Sequence, residues 1–543
     1  MPAMVRARHL GFVAVLLLSI ILTGSRTTGQ QPAADARFDL IIINGRVMDG
    51  SGNPWFRADI GIANGRIAAL GRLDRTRAAR VIDAGDRYVT PGFIDVHTHA
   101  GPGLARESLR QAQPLLAQGV TTIVANPDGG GPVDLAKQRA ELERGGTGVN
   151  VLLLIGHGSV RSAAMGGAVN RKPSEDEMGR MEQLVRAAMR DGAYGLSSGL
   201  YYVPGSFATT DEVIVLARVA GESGGLYTSH IRDEGNYNVG VVASVQEVIR
   251  VAEEAGVIGI VTHMKALGPD SWGLAVACTT RIDQARARGV QVFADQYPYE
   301  ASSTSLVAAL LPGQEGGREA LVKRIADPAT RMTLAAMVRE NFRRRGGPAS
   351  LVIAFYAPDR TLEGKSVAEI AAARGAAPEE AVLDLVARGD AGIVSFNMSE
   401  ADIAHIMRQP YTMTSSDGDL VPMGSGRPHP RNNGAFARKL AVYVRERGVV
   451  SLESAIRSAT SLSATVFGLS DRGVIRPGAW ADLAIFDLKE VRDRATYLDP
   501  HQLATGMTYV LVNGQVAVED GKFTGAMAGR VVRKTQQTRG LVS

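Results

Sequence analysis

The chain has 543 residues, 45% of them apolar and 21% charged, with a mean hydropathy of −0.01. That length can bury a sizeable core and predicts more than one structural unit. The formal charge of +5 is modest and no Lys/Arg run stands out, which speaks against a nucleic-acid partner.

At the N-terminus, Arg6 and Arg8 precede the apolar run Leu10 to Gly24, which gives way to polar, Gln-rich sequence through Ala36. A basic start, an apolar stretch and a polar exit predict an export signal and polar leader over 1–36, hence a periplasmic or secreted protein. The run is short for a full membrane span, so no stable membrane insertion is expected once the signal is removed. Cleavage near Gln30 would take away Arg6, Arg8 and Arg26, lowering the charge by three to +2. The single cysteine, Cys278, excludes an intramolecular disulfide and reads as a buried core residue.

Residues 38–90 carry short apolar runs separated by Gly turns, with Asn44-Gly45 and Asn64-Gly65 as hairpin signals. The same texture returns at 473–488 and 509–523, including Asn513-Gly514. Both ends together predict one small β-sandwich domain, from 37–90 and 473–535.

Between them, strand-like runs alternate with helical stretches, the pattern of a parallel α/β fold. In order the strand candidates are GFIDVHTH, VTTIVANP, VNVLLLIGHG, AYGLSSGL, LYTSHI, GIVTHM, VQVFADQY and YTMTSSDG. Two of the intervening helices open on capping-box patterns, Ser174-x-x-Glu177 and Thr209-x-x-Glu212. Eight strand–helix units over 91–472 predict a (β/α)8 TIM-like barrel with its site at the C-terminal strand ends. A helical insertion, about 311–391, interrupts the barrel before the last strand.

The first of these strands ends in His97 and His99, two residues apart and so on one face of an extended strand. Two imidazoles from one rigid element are a natural pair of ligands for a divalent transition metal. Further strand ends supply His157, His230, His263 followed by Lys265, and Asp417. Five of the chain's nine histidines fall at strand ends, the place where a barrel gathers them. Neutral imidazoles suit zinc-like ions, which lower the pKa of bound water toward ~7 and polarise a carbonyl. Asp417 can take the proton of the attacking water and return it to a leaving amine. The composite fits the chemistry of a metal-dependent hydrolase.

The His-x-His, His, His, Asp set on successive strands, with a split β domain, resembles the amidohydrolase superfamily. Longer stretches are similar more narrowly to the D-aminoacylase (N-acyl-D-amino-acid deacylase) family: 197–235, DQYPYEASST (295–304), LEGKSVAEIAAARG (362–375) and 414–440. The resemblance covers the chain from Phe38 onward. It implies hydrolysis of N-acyl-D-amino acids to a carboxylate and a D-amino acid, with one or two Zn²⁺ or other divalent ions. It also implies that His97, His99, His230, His263 and Asp417 hold metal, Asp417 doubling as general acid/base. Lys265, Tyr297, Ser303 and Arg431 would contact the small-molecule substrate, Arg431 clamping its free carboxylate.

One departure matters. The family pattern ends the second strand in a metal-binding cysteine, whereas this chain has VANPDGGGP, with Pro127 at that point and Asp128 beside it. Asp128 could serve instead as an oxygen ligand, or the site could hold its metal without a bridge; either alters stoichiometry or affinity. Three other readings stand beside the main one. A cyclic-amide hydrolase such as a hydantoinase or dihydroorotase commonly uses a carboxylated lysine on the fourth strand, and GAYGLSSGLYY has none. A dipeptidase on D-residue or N-blocked dipeptides shares the chemistry. A non-catalytic binding module would be expected to have lost ligands that this chain keeps.

Overall fold

The computed structural model describes residues 37–534. The proposed export signal and leader lie outside the described residues, and among those described no helix is long and apolar enough to cross a membrane.

Two sheets assemble from both ends of the chain. A four-stranded sheet runs in the order Arg66–Gly71, Asp59–Ala63, Leu40–Ile43, Val81–Asp83. A seven-stranded sheet contains Leu483–Phe486, which pairs antiparallel with Tyr88–Pro91 on one side and with Met507–Val512 on the other. Ile42, Ile60 and Ile82 of the first sheet pack against Val89, Leu483 and Leu511 of the second in one buried cluster. Asn64-Gly65 and Asn513-Gly514 turn tight hairpins with positive φ at both residues, as expected. Asn44-Gly45 does not: Leu40–Ile43 and Arg46–Val47 belong to different sheets, so this turn carries the chain from one layer to the other. Glycine is required there by crowding, since a Cβ on Gly45 would come within 2.5 Å of Val89.

The middle of the chain forms eight parallel strands: β1 (Phe93–Asp95), β2 (Val120–Ala125), β3 (Asn150–Leu153), β4 (Gly195–Gly199), β5 (Leu226–His230), β6 (Gly259–Val261), β7 (Val292–Gln296) and β8 (Thr412–Thr414). A short extension of β3, Ile155–Gly156, continues the pairing to β4. Each of the eight falls on one of the runs read from the sequence. The cylinder closes between the ends of β1 and β8, where the Asp417 N–H donates to the His97 carbonyl (2.9 Å) and the His99 N–H to the Gly418 carbonyl (2.8 Å). This is a TIM-like barrel, and its closure brings two of its metal-ligand candidates together through their own backbones.

Helix starts follow the sequence with one exception. Ser174 and Glu177 form a complete capping box. Thr209 caps the helix Thr210–Glu222, but Glu212 does not reach back to it. Its carboxylate instead accepts from Arg161 Nε and meets His157 Nε2, both at 3.0 Å and all buried.

The insertion, predominantly helical, is wider than the sequence pattern and has a sheet of its own. Strands Ala301–Ser305, Leu351–Phe355 and Gly392–Phe396 form a three-stranded antiparallel sheet. Helices Gly317–Ala326, Pro328–Arg345 and Pro378–Arg388 pack on it around Leu310, Val338, Ile353 and Ile393, a core distinct from the barrel's. Its first strand carries Ser302 and Ser303 to the rim of the barrel mouth.

Candidate metal centre

Four histidines and two aspartates converge at the C-terminal ends of the barrel strands. His97 Nε2 lies 3.4 Å from Asp128 Oδ1 and 3.5 Å from Asp417 Oδ1. His99 Nε2 lies 3.3 Å from both Asp128 Oδ2 and Asp417 Oδ1. His230 Nδ1 and His263 Nε2, from the ends of β5 and β6, are 2.9 Å apart and reach Asp128 at 3.8 and 3.7 Å. Ligand atoms of His97, Asp128, His263 and Asp417 all fall within 4.8 Å of one another.

The backbone is bent to make this arrangement. Asp128, His263 and Asp417 all have positive φ (55°, 35° and 48°), a conformation that costs a non-glycine residue energy and concentrates at functional sites. Two buried aspartates hold the strand ends in place. Asp95 accepts from the backbone N–H of His97 (3.3 Å) and of Ser416 (2.9 Å); Asp295 accepts from the His263 N–H (2.9 Å) and from Ser415 Oγ (2.6 Å). Both stand inside quoted motifs, yet their task was invisible, because it depends on reaching Ser416 and Ser415, 321 and 120 residues away.

The electrostatics favour positive charge beside the two carboxylates. Burial disfavours imidazolium at His97 and His99, but the Asp128 and Asp417 carboxylates outweigh it: His97 is pushed well above the ordinary histidine range and His99 up to about 10. Burial also opposes ionisation of Asp128 and Asp417, but the imidazoles and, for Asp417, Arg431 hold both well below the usual carboxylate range. His230 is lowered to about 4, mainly by burial, and so stays neutral, the form that ligates. His97 Nε2, His230 Nε2 and Asp128 Oδ1 are buried without a hydrogen-bond partner. Buried unsatisfied donors and acceptors of this kind fit a divalent ion surrounded by nitrogen and oxygen ligands.

His157, grouped with the others on sequence, is not part of this set. It opens the helix His157–Met165, and its ring turns to Glu212, which also accepts from Arg161. Cys278 is buried in the helix Ala275–Ala287 as a core residue. A residue missed on sequence is Glu234, four positions beyond His230. It contacts Lys265 Nζ in a short ion pair and lies 3.0 Å from His263 Nδ1. The only available signal was that i, i+4 spacing, which means little outside a helix.

A cleft of about 560 Å³ opens over the cluster, bounded by Lys265, Tyr297, Ser303 and Arg431 as well as Tyr201 and Tyr202. Arg431 NH1 forms an ion pair with Asp417 Oδ2 at 2.7 Å, while its Nε makes no hydrogen bond. Its guanidinium stacks 4.7 Å from the Tyr297 ring, a contact that fixes its plane. The Tyr202 ring lies against His230 (centroids 4.6 Å) and the Tyr201 hydroxyl donates to the Ala308 carbonyl of the insertion (2.6 Å).

The Amidohydrolase family model matches residues 80–518. An N-acyl-D-glutamate deacylase of Alcaligenes xylosoxydans xylosoxydans is 36% identical, over 93% of this chain and 98% of its own. A D-aminoacylase of the same organism is 34% identical, over 92% and 98%. Among solved structures, the N-acyl-D-glutamate deacylase of Bordetella bronchiseptica superposes with a TM-score of 0.79 at 34% identity, covering 92% of this chain and all of the other. That protein was crystallised with zinc and a phosphonate mimic of the tetrahedral intermediate. An L-hydantoinase of Arthrobacter aurescens, at 18% identity and a TM-score of 0.57, shares the fold alone. The chain belongs to the amidohydrolase family and, within it, to the D-aminoacylase group.

Proposed function

We propose that this protein hydrolyses the amide bond of N-acyl-D-amino acids, releasing a carboxylate and a D-amino acid. The observation that carries the reading is the meeting, in one cleft, of a four-histidine, two-aspartate cluster with Arg431 and Lys265. The D configuration is taken from the names of relatives that align over nearly their whole length.

His97, His99, His230, His263 and Asp417 would hold the metal, with zinc as the ion found in the Bordetella bronchiseptica relative. When bound, such an ion supplies Lewis acidity, lowering the pKa of water and polarising the scissile carbonyl. Asp417 is held ionised by Arg431, ready to accept a proton from the attacking water and deliver it to the departing amide nitrogen. Arg431 keeps a donor without a partner on Nε, beside the NH1 that pairs with Asp417, and its guanidinium fork matches the substrate's α-carboxylate. Lys265, neutralised on one side by Glu234 and facing Tyr297 at 5.6 Å, adds a second positive group to the same wall. The hydroxyls of Tyr297 and Ser303 complete the carboxylate's surroundings. β4, sequence GLSSG, has no lysine to carboxylate, which removes the main support for a cyclic-amide hydrolase.

The test is release of free amino acid from matched N-acetyl-D- and N-acetyl-L-amino acid panels. Release from the D panel alone is the expected result; release from neither, or from the L panel alone, refutes the assignment. We also propose export, on the strength of Arg6, Arg8 and the run Leu10 to Gly24. Fractionation of the source cells should then find the protein outside the cytoplasm, shortened by about 30 residues.

A further inference from the structure

We propose that Asp128 is a metal ligand shared by the two halves of the cluster, one that makes the donor set of this enzyme wholly nitrogen and oxygen. The inference rests on the metal-dependent reading above and concerns a residue of the cluster to which that reading gives no role.

The two carboxylate oxygens of Asp128 divide the histidines in a particular way. Oδ1 faces His97 at 3.4 Å and His263 at 3.7 Å; Oδ2 faces His99 at 3.3 Å and His230 at 3.8 Å. Each oxygen therefore stands between one histidine of β1 and one from β5 or β6. Asp417 touches only the β1 pair at similar range, through Oδ1. No other carboxylate among the described residues is within ion-pair distance of all four imidazoles. A carboxylate placed between two pairs of nitrogen ligands, with Oδ1 buried and lacking a hydrogen-bond partner, is aimed at a cation and not at a protein donor.

The loop is built to bring it there. Asn126, Asp128, Gly129 and Gly131 all have positive φ, so the chain coils back over the mouth of β2. It is fastened by the Gly129 N–H donating to Ser197 Oγ (3.2 Å), by the Ser197 hydroxyl donating to the Asn126 carbonyl (2.8 Å) and by the Ser159 N–H donating to the Gly129 carbonyl (3.0 Å). Pro127 offers no side-chain donor; one residue later, Asp128 does. Its carboxylate reaches one bond further than a thiolate and presents two oxygens instead of one sulfur. Hard oxygen in place of soft sulfur relaxes the preference for thiophilic ions and admits harder ones such as Mn²⁺ and Co²⁺.

Cobalt(II) tests this without recourse to turnover. Thiolate-to-cobalt charge transfer gives a near-ultraviolet band, and the chain's one cysteine, Cys278, lies in a helix of the barrel's core cluster. The cobalt-loaded wild type should lack this band and Asp128→Cys should acquire it. Asp128→Asn, nearly isosteric, should lose at least tenfold in metal affinity or one metal equivalent by elemental analysis, with unchanged far-ultraviolet circular dichroism. Cobalt bound to Asp128→Cys without the band, or Asp128→Asn with wild-type affinity and stoichiometry, overturns the proposal and leaves the hydrolase reading standing. A wild-type protein that binds no divalent ion overturns both.

Discussion

At the scale of single residues, the account turns on what each side chain in the cleft is free to do. Asp417 is pinned by its own N–H to the His97 carbonyl and by Arg431 on one oxygen, so its other oxygen faces the His97 and His99 nitrogens. Asp417→Asn keeps the shape and removes the proton carrier; kcat should fall by about 10²–10⁴ while much of the metal stays bound. Arg431→Lys keeps the charge but loses the planar fork, and a rise in KM of about tenfold or more, larger than any change in kcat, is expected from steady-state kinetics. The meeting of His97, His99, His230, His263 and Asp417 in one place was legible because residues at the C-terminal strand ends of a barrel converge. His157 shows the limit: it has the same type and position, yet a buried carboxylate, Glu212, claims it. Nothing in one dimension distinguishes an imidazole facing the barrel axis from one turned into the helix layer.

At the scale of elements, the eight strands and the hairpins at Asn64-Gly65 and Asn513-Gly514 were readable, since apolar runs and turn residues are local signals. The sheet switch at Asn44-Gly45 and the three-stranded sheet of the insertion were not, because they depend on long-range partners. A further element-level feature is a buried charge behind β8. Lys439 opens the π-helical turn Lys439–Glu446 and donates to Thr414 Oγ1 and Ser458 Oγ, both at 2.8 Å, with no carboxylate among the described residues in ion-pair range. Burial lowers its pKa to about 7. The unfolded chain, at about 10.4, therefore binds more protons between these values, and stability rises with pH across that window. Below about pH 7 the penalty is fully present; above about pH 10.5 it is gone. Lys439→Met should stabilise the protein at neutral pH by up to about 4 kcal/mol and flatten the pH dependence of the melting temperature between pH 7 and 10. Thr414 Oγ1 and Ser458 Oγ, 3.2 Å apart, can then bond each other, so no orphan is left.

At the scale of the whole molecule, the barrel and the β domain are joined by a buried polar knot. Asp482 pairs with Arg472 and accepts from the Asn513 backbone N–H (2.6 Å) and from Asn150 Nδ2 (3.2 Å); Asn513 Nδ2 in turn donates to Asn150 Oδ1 (2.7 Å). Asn150 begins β3 of the barrel, whereas Asp482 and Asn513 border strands of the β domain. Asp482→Ala would leave the Arg472 guanidinium buried and unpaired. A loss of about 3–5 kcal/mol, read from denaturant unfolding, is expected, with the metal site unaltered in the protein that folds. The knot ties the C-terminal part of the β domain to the third barrel strand, a long-range contact that the local texture of the sequence could not show. The central claim is that hydrolysis belongs to a metal held by this cluster. Its most direct test is a titration of chelator-stripped protein with zinc, following bound metal and release of D-amino acid in the same samples. The account predicts no turnover before zinc and activity that rises with metal occupancy; full activity in protein shown to be metal-free would contradict it.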